Sequence, residues 1–351
     1  MSLLEKLGIN LPIIQAPMAG VSTPKMAAAV SNAGALGSIS VGALKPDAAR
    51  ELIQATQVLT NKSINVNVFC HAPAISDTRR EAEWLRLLSP HFRSFNAQTP
   101  KHLVEIYKSF LVDDGMLEVL LELRPRVVSF HFGLPDQEKI QRLKQAGIVL
   151  LATATNKDEA RKISNAGIDA IVAQGYEAGG HRGTFSPEEP DECLGLVSLI
   201  RLLVRDSPVP VIAAGGIMDG AGIVACLRLG AEAAQLGTAF INCPESAADT
   251  FYRQALESDA AYHTVMTRVI SGRPARCLSN KFSRFGQNIK SDQIPAYPLA
   301  YDAGKELNRV AKDAAEGGYG AQWAGQGAPL ARKMPAAELI AQLHREIQEL
   351  S

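Results

Sequence analysis

A single histidine lies among four glycines in the segment AQGYEAGGHRG, residues 173–183. The apolar run DAIVAQG leads into this segment as a buried strand would, and His181 follows where that strand should end. Imidazole is the side chain whose ordinary pKa lies nearest neutrality, so a histidine placed here is a candidate proton acceptor. The flanking glycines fit a turn in which the main chain approaches a ligand closely. A packed histidine bonded to backbone groups is the alternative.

A scaffold must position this turn, and short β-branched apolar runs recur along the chain. The eight runs lie at residues 12–18, 35–41, 63–69, 126–133, 148–155, 170–175, 209–216 and 233–241. Amphipathic segments ending in Ala-Gly or Leu-Gly separate several of them, as helices that end at glycine do. Repeated strand–helix units predict an α/β protein with a (β/α)8 TIM barrel. A doubly wound open sheet is the alternative, although no GxGxxG follows the first run.

The spacing of the runs predicts additions to the barrel. We expect the (β/α)8 barrel to comprise residues 1–70 and 126–242. Residues 71–125 should form a helical insertion after the third strand, because EAEWLRLL, HLVEIYKSF and DGMLEVLLELRP are typical of helices. Residues 243–351 should form a C-terminal segment that caps the active site, with helices near 244–258 and 336–349.

Composition excludes several classes of function. The chain has 351 residues, and 36 acidic side chains balance 36 basic ones, which gives no bulk reason to expect nucleic acid or an anionic membrane as partner. The five cysteines have no zinc-site spacing, so we expect reduced thiols, no metal and a cytoplasmic location. No apolar run reaches the roughly 20 residues of a membrane helix, and Glu5 and Lys6 interrupt any signal peptide. We expect a monomer or weak dimer.

Glycine-rich loops follow the last two predicted strands. Gly215 and Gly216 end one strand, and Gln235-Leu236-Gly237-Thr238 lies in the next. Many TIM barrels bind phosphate between the loops at these positions, through backbone N–H groups. Tight turns without a ligand are the alternative. Because the sequence has neither a Walker motif nor an acidic metal cluster, a phosphorylated cofactor such as FMN fits, with the amides of Asn67 and Gln174 beside its ring.

With these motifs in view, the chain resembles the nitronate monooxygenases, formerly called 2-nitropropane dioxygenases, of the bacterial class I group. The matching stretches cover nearly the whole chain and are PIIQAPMAG, NVNVFCH, SFHFG, AQGYEAGGHRG, PVIAAGGI, QLGTAF, SGRPAR and AQWAGQGAPLAR. The resemblance implies a TIM barrel that holds FMN non-covalently. The cofactor-binding residues expected from the matching positions and their neighbours are Met18, Asn67, Gln174, Gly179, Gly180, Gly215, Gly216, Gln235, Leu236, Gly237 and Thr238.

The resemblance also implies a reaction and a role for His181. Members of the family oxidise an alkyl nitronate with O2 to nitrite and a carbonyl compound, without NAD(P)H. For this group the implied substrate is propionate 3-nitronate, a toxin, and the implied role is detoxification. His181 matches the active-site histidine. It could take the α-proton of a neutral nitroalkane, or stabilise the nitro oxygens of a nitronate that is already an anion.

Tyrosines and one lysine are expected on the substrate side. If Pro298 is the first helical residue, Tyr301 and Lys305 are i,i+4 neighbours on one helix face. In the resembling family, residues at these positions line the substrate site, and phenol and ammonium donors suit a nitro group and a carboxylate. Ordinary helix-surface residues are the alternative. The expected substrate-binding residues are Tyr107, in an inserted helix, His131, at the end of strand four, Tyr252, Tyr297, Tyr301 and Lys305.

Two segments and two other functions stay open at this point. The segment SGRPAR, residues 271–276, matches the family but suggests no mechanism, and either arginine could pair with an anion or form a structural ion pair. Trp323 is expected to pack between barrel and tail rather than to act as a lid. An FMN barrel that uses NAD(P)H, such as a quinone or enoyl reductase, is the alternative enzyme. A flavin-binding protein without turnover is the alternative outside catalysis.

Overall fold

The computed structural model describes residues 1–350 and contains eight parallel strands in a nearly closed barrel. These strands are β1 (Ile13–Gln15), β2 (Gly37–Ser40), β3 (Ile64–Phe69), β4 (Val127–His131), β5 (Val149–Ala154), β6 (Ala170–Gln174), β8 (Val211–Ala214) and β9 (Ala233–Leu236), while β7 (Gly180–His181) lies outside the barrel. A bridge between Ile14 and Leu36 joins the first and second strands and nearly closes the circle. The predicted TIM barrel is confirmed, and each predicted run contains one barrel strand.

Helices connect the strands and surround the barrel. They are α1 (Leu3–Leu7), α2 (Pro24–Asn32), α3 (Pro46–Leu59), α4 (Thr78–Ser94), α5 (Asp114–Leu123), α6 (Gln137–Gln145), α7 (Lys157–Asn165), α8 (Leu196–Asp206), α9 (Gly220–Arg228), α10 (Thr250–Leu256), α11 (Lys281–Phe285), α12 (Leu299–Asp313) and α13 (Ala336–Leu350). Polar N-caps begin several of them; the side chains of Asp136 and Asn156, for example, accept the N–H three residues on. No helix in residues 1–350 is long and apolar enough to cross a membrane.

The insertion after β3 is less helical than its sequence predicts. Helix α4 is present, and Trp84 and Leu88 on it pack with Leu307 of α12 in one apolar cluster. The prediction of a helix over HLVEIYKSF is wrong: most of this segment is irregular, with only a short 3-10 turn from Phe110, and it carries Tyr107 on a loop. The sequence HLVEIYKSF is typical of a helix, but the chain here runs between the insertion and the barrel mouth, where Tyr107 lines the cavity.

Two helices assigned to the additions lie in the ring around the barrel. Helix α5 packs beside α3 and α6, and its Met116 and Leu120 join the barrel core. Helix α13 packs against α9 and α2, where Leu339 and Leu343 are fully buried. Residues 336–350 therefore fill the place of the eighth outer helix rather than covering the active site. We propose that the insertion spans residues 71–113 and that the covering segment spans residues 243–335.

A small antiparallel sheet joins the covering segment to the glycine-rich turn that carries His181, residues 175–183, which we call the histidine turn. Strand β10 (Thr264–Thr267) pairs with β11 (Ala275–Leu278), and β11 pairs with β7. Ala275 lies opposite His181, and Arg276 lies opposite Gly180. The segment SGRPAR thus leads directly into the strand that holds the turn. This pairing gives that segment a structural role that its sequence alone did not reveal.

Candidate active site

A cavity of about 440 Å³ opens at the carboxyl ends of the barrel strands. Its position is the one at which TIM barrels carry their active sites. All but one of the residues expected to bind cofactor or substrate line it: Met18, Asn67, Tyr107, His131, Gln174, Gly179, Gly180, His181, Gly215, Gly216, Gln235, Gly237, Thr238, Tyr252, Tyr297, Tyr301 and Lys305. The strand-end rule therefore places most of the expected set around one space.

Leu236 is the exception among the expected cofactor residues. Its side chain is 1% exposed and packs in the apolar layer between barrel and outer helices. Its carbonyl accepts the Ala16 N–H at 2.8 Å, so the backbone is also engaged. Strand side chains alternate, and Gln235 and Gly237 on either side are the ones that face the cavity. Leu236, which was expected among the cofactor-binding residues, therefore does not line the cavity.

His181 is half-buried on the cavity wall and is held through one ring nitrogen. Its Nε2 lies 2.8 Å from Ser271 Oγ. Its ring lies 5.0 Å from that of Trp323 and 5.4 Å from that of Tyr297, measured between centroids. Trp323, expected to serve only as packing, therefore also lines the cavity. Aromatic rings thus flank the imidazole on two sides.

Buried hydrogen bonds fix the turn that carries His181. Gln174 Nε2 donates to the His181 carbonyl at 3.0 Å, and Gln174 Oε1 accepts the Gly183 N–H at 2.8 Å. The Arg182 guanidinium is 1% exposed, donates to the Gln174 carbonyl at 2.9 Å and forms a two-point ion pair with Asp191 at 2.7 and 3.1 Å. Gln174 was expected beside the cofactor ring; it lines the cavity and also organises the turn.

The imidazoles around the site are kept neutral, and we call His71, His131 and His181 the histidine cluster. Burial lowers the pKa of all three, to about 4 for His71 and about 3 for His131. The positive charge of Arg273 lowers each of them further, and His131 adds to the effect on His181. At neutral pH, His181 is therefore available as a proton acceptor.

His131 is bound at both ring nitrogens. Its Nδ1 lies 3.0 Å from Thr153 Oγ1, and its Nε2 lies 3.3 Å from the His181 carbonyl. It lines the cavity, but neither nitrogen is free to take a proton from a ligand. The structure thus separates the two histidines of the cavity wall by role: His131 supports the turn, and His181 faces the ligand space.

The two glycine loops present backbone donors to the cavity. Gly215 and Gly216 have φ of +127° and +70°, conformations that favour glycine. Within residues 1–350, the N–H groups of Gly215, Gly216 and Gly237 make no hydrogen bond. All three glycines line the cavity, and a Cβ on Gly237 would only reach ordinary van der Waals contact with Ala16 Cβ, at 3.5 Å. Unpaired donors around an open space fit the phosphate of a nucleotide cofactor.

The segment AQWAGQG packs against both glycine loops and against Gly179 in the turn that carries His181. A Cβ on Gly179 would stand 2.4 Å from the Gly325 nitrogen, and a Cβ on Gly327 would stand 2.6 Å from the Gly216 carbonyl oxygen. The Gly325 N–H also donates to Thr238 Oγ1 at 3.0 Å. These contacts explain why glycines recur in both segments: the covering segment can approach the loops only where side chains are absent.

Tyrosines and a lysine also line the cavity. Lys305 is exposed at the rim, and its Nζ donates to Tyr107 Oη at 2.9 Å. Burial raises the pKa of Tyr107 to about 12, and it also raises those of Tyr297 and Tyr301. The phenols therefore stay protonated and can donate hydrogen bonds. Tyr252 donates to the Trp323 carbonyl.

The sequence argument that Tyr301 and Lys305 share one helix face was nearly right. Helix α12 begins at Leu299, and Pro298 is its N-cap rather than its first helical residue. Tyr301 and Lys305 are still one helical turn apart on the same face, and both line the cavity. The functional conclusion drawn from the pattern is unaffected by the shift of one residue.

Three buried residues support the site in ways that the sequence reasoning did not assign. Ser271 binds His181; Arg273 lies 4.2 Å over the Phe132 ring; and Phe132 has φ of +76°, which is unusual for a non-glycine residue. Phe132 lines the cavity immediately after His131. The strand-end rule could have found Phe132, but the roles of Ser271 and Arg273 depend on a contact 90 residues away along the chain.

Fold and cavity together define the chain as a TIM-barrel protein with its candidate active site at the strand ends. The chain belongs to the nitronate monooxygenase family, whose model matches residues 1–346. It is 58% identical to a nitronate monooxygenase of Paraburkholderia phytofirmans, over 99% of this chain and 95% of the relative. It is 50% identical to one of Pseudomonas aeruginosa, over 97% of each chain. The solved structure of nitroalkane oxidase from Streptomyces ansochromogenes matches with a TM-score of 0.89 and 38% identity, over 99% of this chain and 98% of that one.

Proposed function

We propose that the chain oxidises alkyl nitronates with O2 and bound FMN, giving nitrite and a carbonyl product. One observation carries the proposal: a single cavity unites unpaired N–H groups on two glycine loops, a neutral imidazole and a lysine–tyrosine cluster. The N–H groups suit the phosphate of a cofactor. The imidazole suits a proton or a nitro group, and the lysine–tyrosine cluster suits a second anionic group of the substrate. Membership of the nitronate monooxygenase family supports the same reaction.

FMN is the cofactor that the donors suit. Its phosphate would lie at the loops of Gly215, Gly216 and Gly237, whose N–H groups have no hydrogen-bond partner within residues 1–350. The residues proposed to hold it are Met18, Asn67, Gln174, Gly179, Gly180, Gly215, Gly216, Gln235, Gly237 and Thr238. When bound, FMN would supply the electron-accepting ring, and the barrel residues would orient it. Residues 1–350 contain no group of His, Cys, Asp and Glu side chains that could hold a metal.

Propionate 3-nitronate is the proposed substrate, because its two anionic ends match the two ends of the site. The nitronate would lie beside the neutral His181, and the carboxylate would lie at the rim near the Lys305 ammonium and the Tyr107 hydroxyl. Removal of this toxic compound would be a detoxification role. All five cysteines are free thiols, which agrees with the cytoplasmic location we propose.

The protein side chains have distinct tasks in this scheme. A nitronate is already an anion, so His181 need only orient and hydrogen-bond its nitro oxygens. A neutral nitroalkane must first lose its α-proton, and His181 would accept it. Phe132 and Trp323 exclude water from the imidazole, while the protonated phenols donate hydrogen bonds to the substrate. We propose no role for NAD(P)H and expect a monomer or weak dimer.

Oxygen uptake tests the proposal directly. Purified protein should carry a yellow FMN-like spectrum and should consume O2 on addition of propionate 3-nitronate without NAD(P)H, with release of nitrite. A matched variant, Lys62→Met, changes a lysine at the amino end of β3, outside the cavity, and should behave as the parent. No uptake by flavin-loaded protein would refute the proposal. Bleaching of the flavin by NADH, followed by reoxidation with a quinone, would favour a nicotinamide-dependent reductase instead.

A further inference from the structure

Ser271 is the only side chain in residues 1–350 that hydrogen-bonds to the His181 ring, and its own surroundings are unusual. The residue is 0% exposed and does not line the cavity. Its Oγ lies 2.8 Å from His181 Nε2, 3.2 Å from the Arg273 carbonyl oxygen and 3.4 Å from the Arg273 nitrogen. A hydroxyl has one proton to donate, so these three neighbours restrict how that proton can be placed.

The Ser271 hydroxyl can donate its proton either to the Arg273 carbonyl or to His181 Nε2, and the Arg273 carbonyl decides between these two arrangements. It can only accept, and the Ser271 hydroxyl is its hydrogen-bond donor among residues 1–350. If Ser271 donates to this carbonyl, its lone pair faces His181 Nε2, which must then carry a proton. The opposite arrangement would leave a buried carbonyl without a donor, which is costly.

We propose that Ser271 is a positioning residue that holds His181 in the tautomer protonated at Nε2. Nδ1 then carries the lone pair, and within residues 1–350 no group hydrogen-bonds to it. The Arg273 carbonyl, the Ser271 hydroxyl and the His181 ring thus form a directed chain of two hydrogen bonds. The consequence is that Nδ1 is the atom that meets the substrate.

This arrangement suits removal of the α-proton from a neutral nitroalkane, and it rests on the function proposed above. The Cα–H bond breaks, the proton forms a new N–H bond at His181 Nδ1, and the electron pair moves into the nitro group. The products are a nitronate anion and an imidazolium, so charge and atoms balance without another reactant. The imidazolium keeps its Nε2–H bond to Ser271, so the hydrogen-bonded chain need not rearrange during the transfer.

The same geometry predicts a difference between substrates. A nitronate needs no proton removal, so loss of Ser271 should affect it little. A neutral nitroalkane needs Nδ1 unprotonated and correctly aimed. For Ser271→Ala we expect a fall in kcat/KM of about tenfold to a hundredfold with a neutral nitroalkane such as nitroethane. With ethylnitronate, the change should be much smaller. Ser271→Cys, which keeps a weak donor, should be intermediate.

Nitrogen-15 NMR of the FMN-loaded enzyme labelled at histidine reads the tautomer without turnover. The His181 signals are identified by their loss in His181→Asn. In the parent enzyme near neutral pH, Nε2 should carry the proton; in Ser271→Ala, Nδ1-protonated ring should appear. Ser31→Ala is the matched control, because Ser31 is also buried and bonded to a carbonyl but lies on α2 away from the cavity.

Each outcome bears on the proposal. A parent His181 protonated at Nδ1 would overturn it, whether or not the variants fold. A tautomer and a nitroalkane-to-nitronate rate ratio that are both unchanged in Ser271→Ala and Ser271→Cys would overturn it as well. If the parent enzyme turns over no nitro compound, the proposed function fails, whereas the tautomer measurement still decides the role of Ser271.

Discussion

Replacing Lys305 by methionine tests how the site reads the second charge of its substrate. The change keeps a similar length of apolar side chain but removes the ammonium that donates to Tyr107 Oη at 2.9 Å. If this ammonium binds the carboxylate of propionate 3-nitronate, the variant should raise the KM for that substrate. The KM for ethylnitronate, which lacks a carboxylate, should stay close to that of the parent enzyme.

The exposure of Lys305 sets the size of the effect. Unit charges about 4 Å apart interact by about 4 kcal/mol at the effective dielectric constant of a protein surface. Lys305 is exposed at the rim, where solvent screening reduces the net worth of an ion pair to about 1 kcal/mol. That free energy corresponds to a rise in KM of about fivefold. The change in kcat should be small, because the lysine lies away from His181.

Steady-state oxygen uptake gives the KM of the variant relative to the parent for each substrate, and the effect is the ratio of these two values. Lys62→Met controls for loss of one positive charge, because Lys62 precedes β3 at the other end of the barrel. Measurements at low and high ionic strength add a second check, since screening should shrink the difference between parent and variant. Equal KM changes for the two substrates would refute the idea that the ammonium recognises a carboxylate.

Four further predictions concern the histidine turn and its supports. His181→Asn should keep its flavin but lose about a hundredfold to ten-thousandfold in turnover of neutral nitroalkanes, and less with nitronates; equal losses in the two assays would exclude the general-base role. Because the folded pKa values of the histidine cluster lie below the unfolded value, the unfolded chain binds more protons below about pH 6.5. The melting temperature should therefore fall between about pH 6.5 and pH 5, and a flat profile would contradict the neutral cluster. Gly179→Ala places a Cβ 2.4 Å from the Gly325 nitrogen, so flavin retention and melting temperature should both drop, as fluorescence would show. Arg182→Met leaves the half-buried Asp191 without its partner and should lower the free energy of unfolding by about 3 kcal/mol in urea titrations; a loss below about 1 kcal/mol would mean that solvent already screens the pair.

Local patterns predicted the barrel and the ligand space well. Eight apolar runs marked eight barrel strands because parallel strands are buried on both faces and have a strong apolar signal. Gly215, Gly216 and Gly237 were found from their position after particular strands, since barrel topology brings those loops together. The same reasoning also named Leu236, whose side chain packs away from the cavity because strand side chains alternate.

Contacts between distant segments were beyond the reach of such patterns. The amphipathic sequence of α13 correctly predicts a helix but not its place in the outer ring, because about 100 residues separate it from β9. The sequence around Tyr107 suggested a helix, yet packing between the insertion and the barrel mouth leaves most of it irregular. The segment SGRPAR was recognised as matching the family, but the roles of Ser271 and Arg273 could not be assigned, because they arise only when β11 pairs with β7.

The pairing of β7 with β11 has a consequence for the order in which the protein is made. A ribosome releases the chain from its amino end, so all eight barrel strands are synthesised before β11 exists. The histidine turn must then wait for Ser271 and Ala275 to arrive, and its glycines must wait longer for Gly325. A nascent chain that stops before residue 264 would hold every barrel strand and the partners Gln174 and Asp191, but it would lack Ser271, β11 and Gly325, which complete the turn. The site is thus among the last parts of the molecule to acquire its shape.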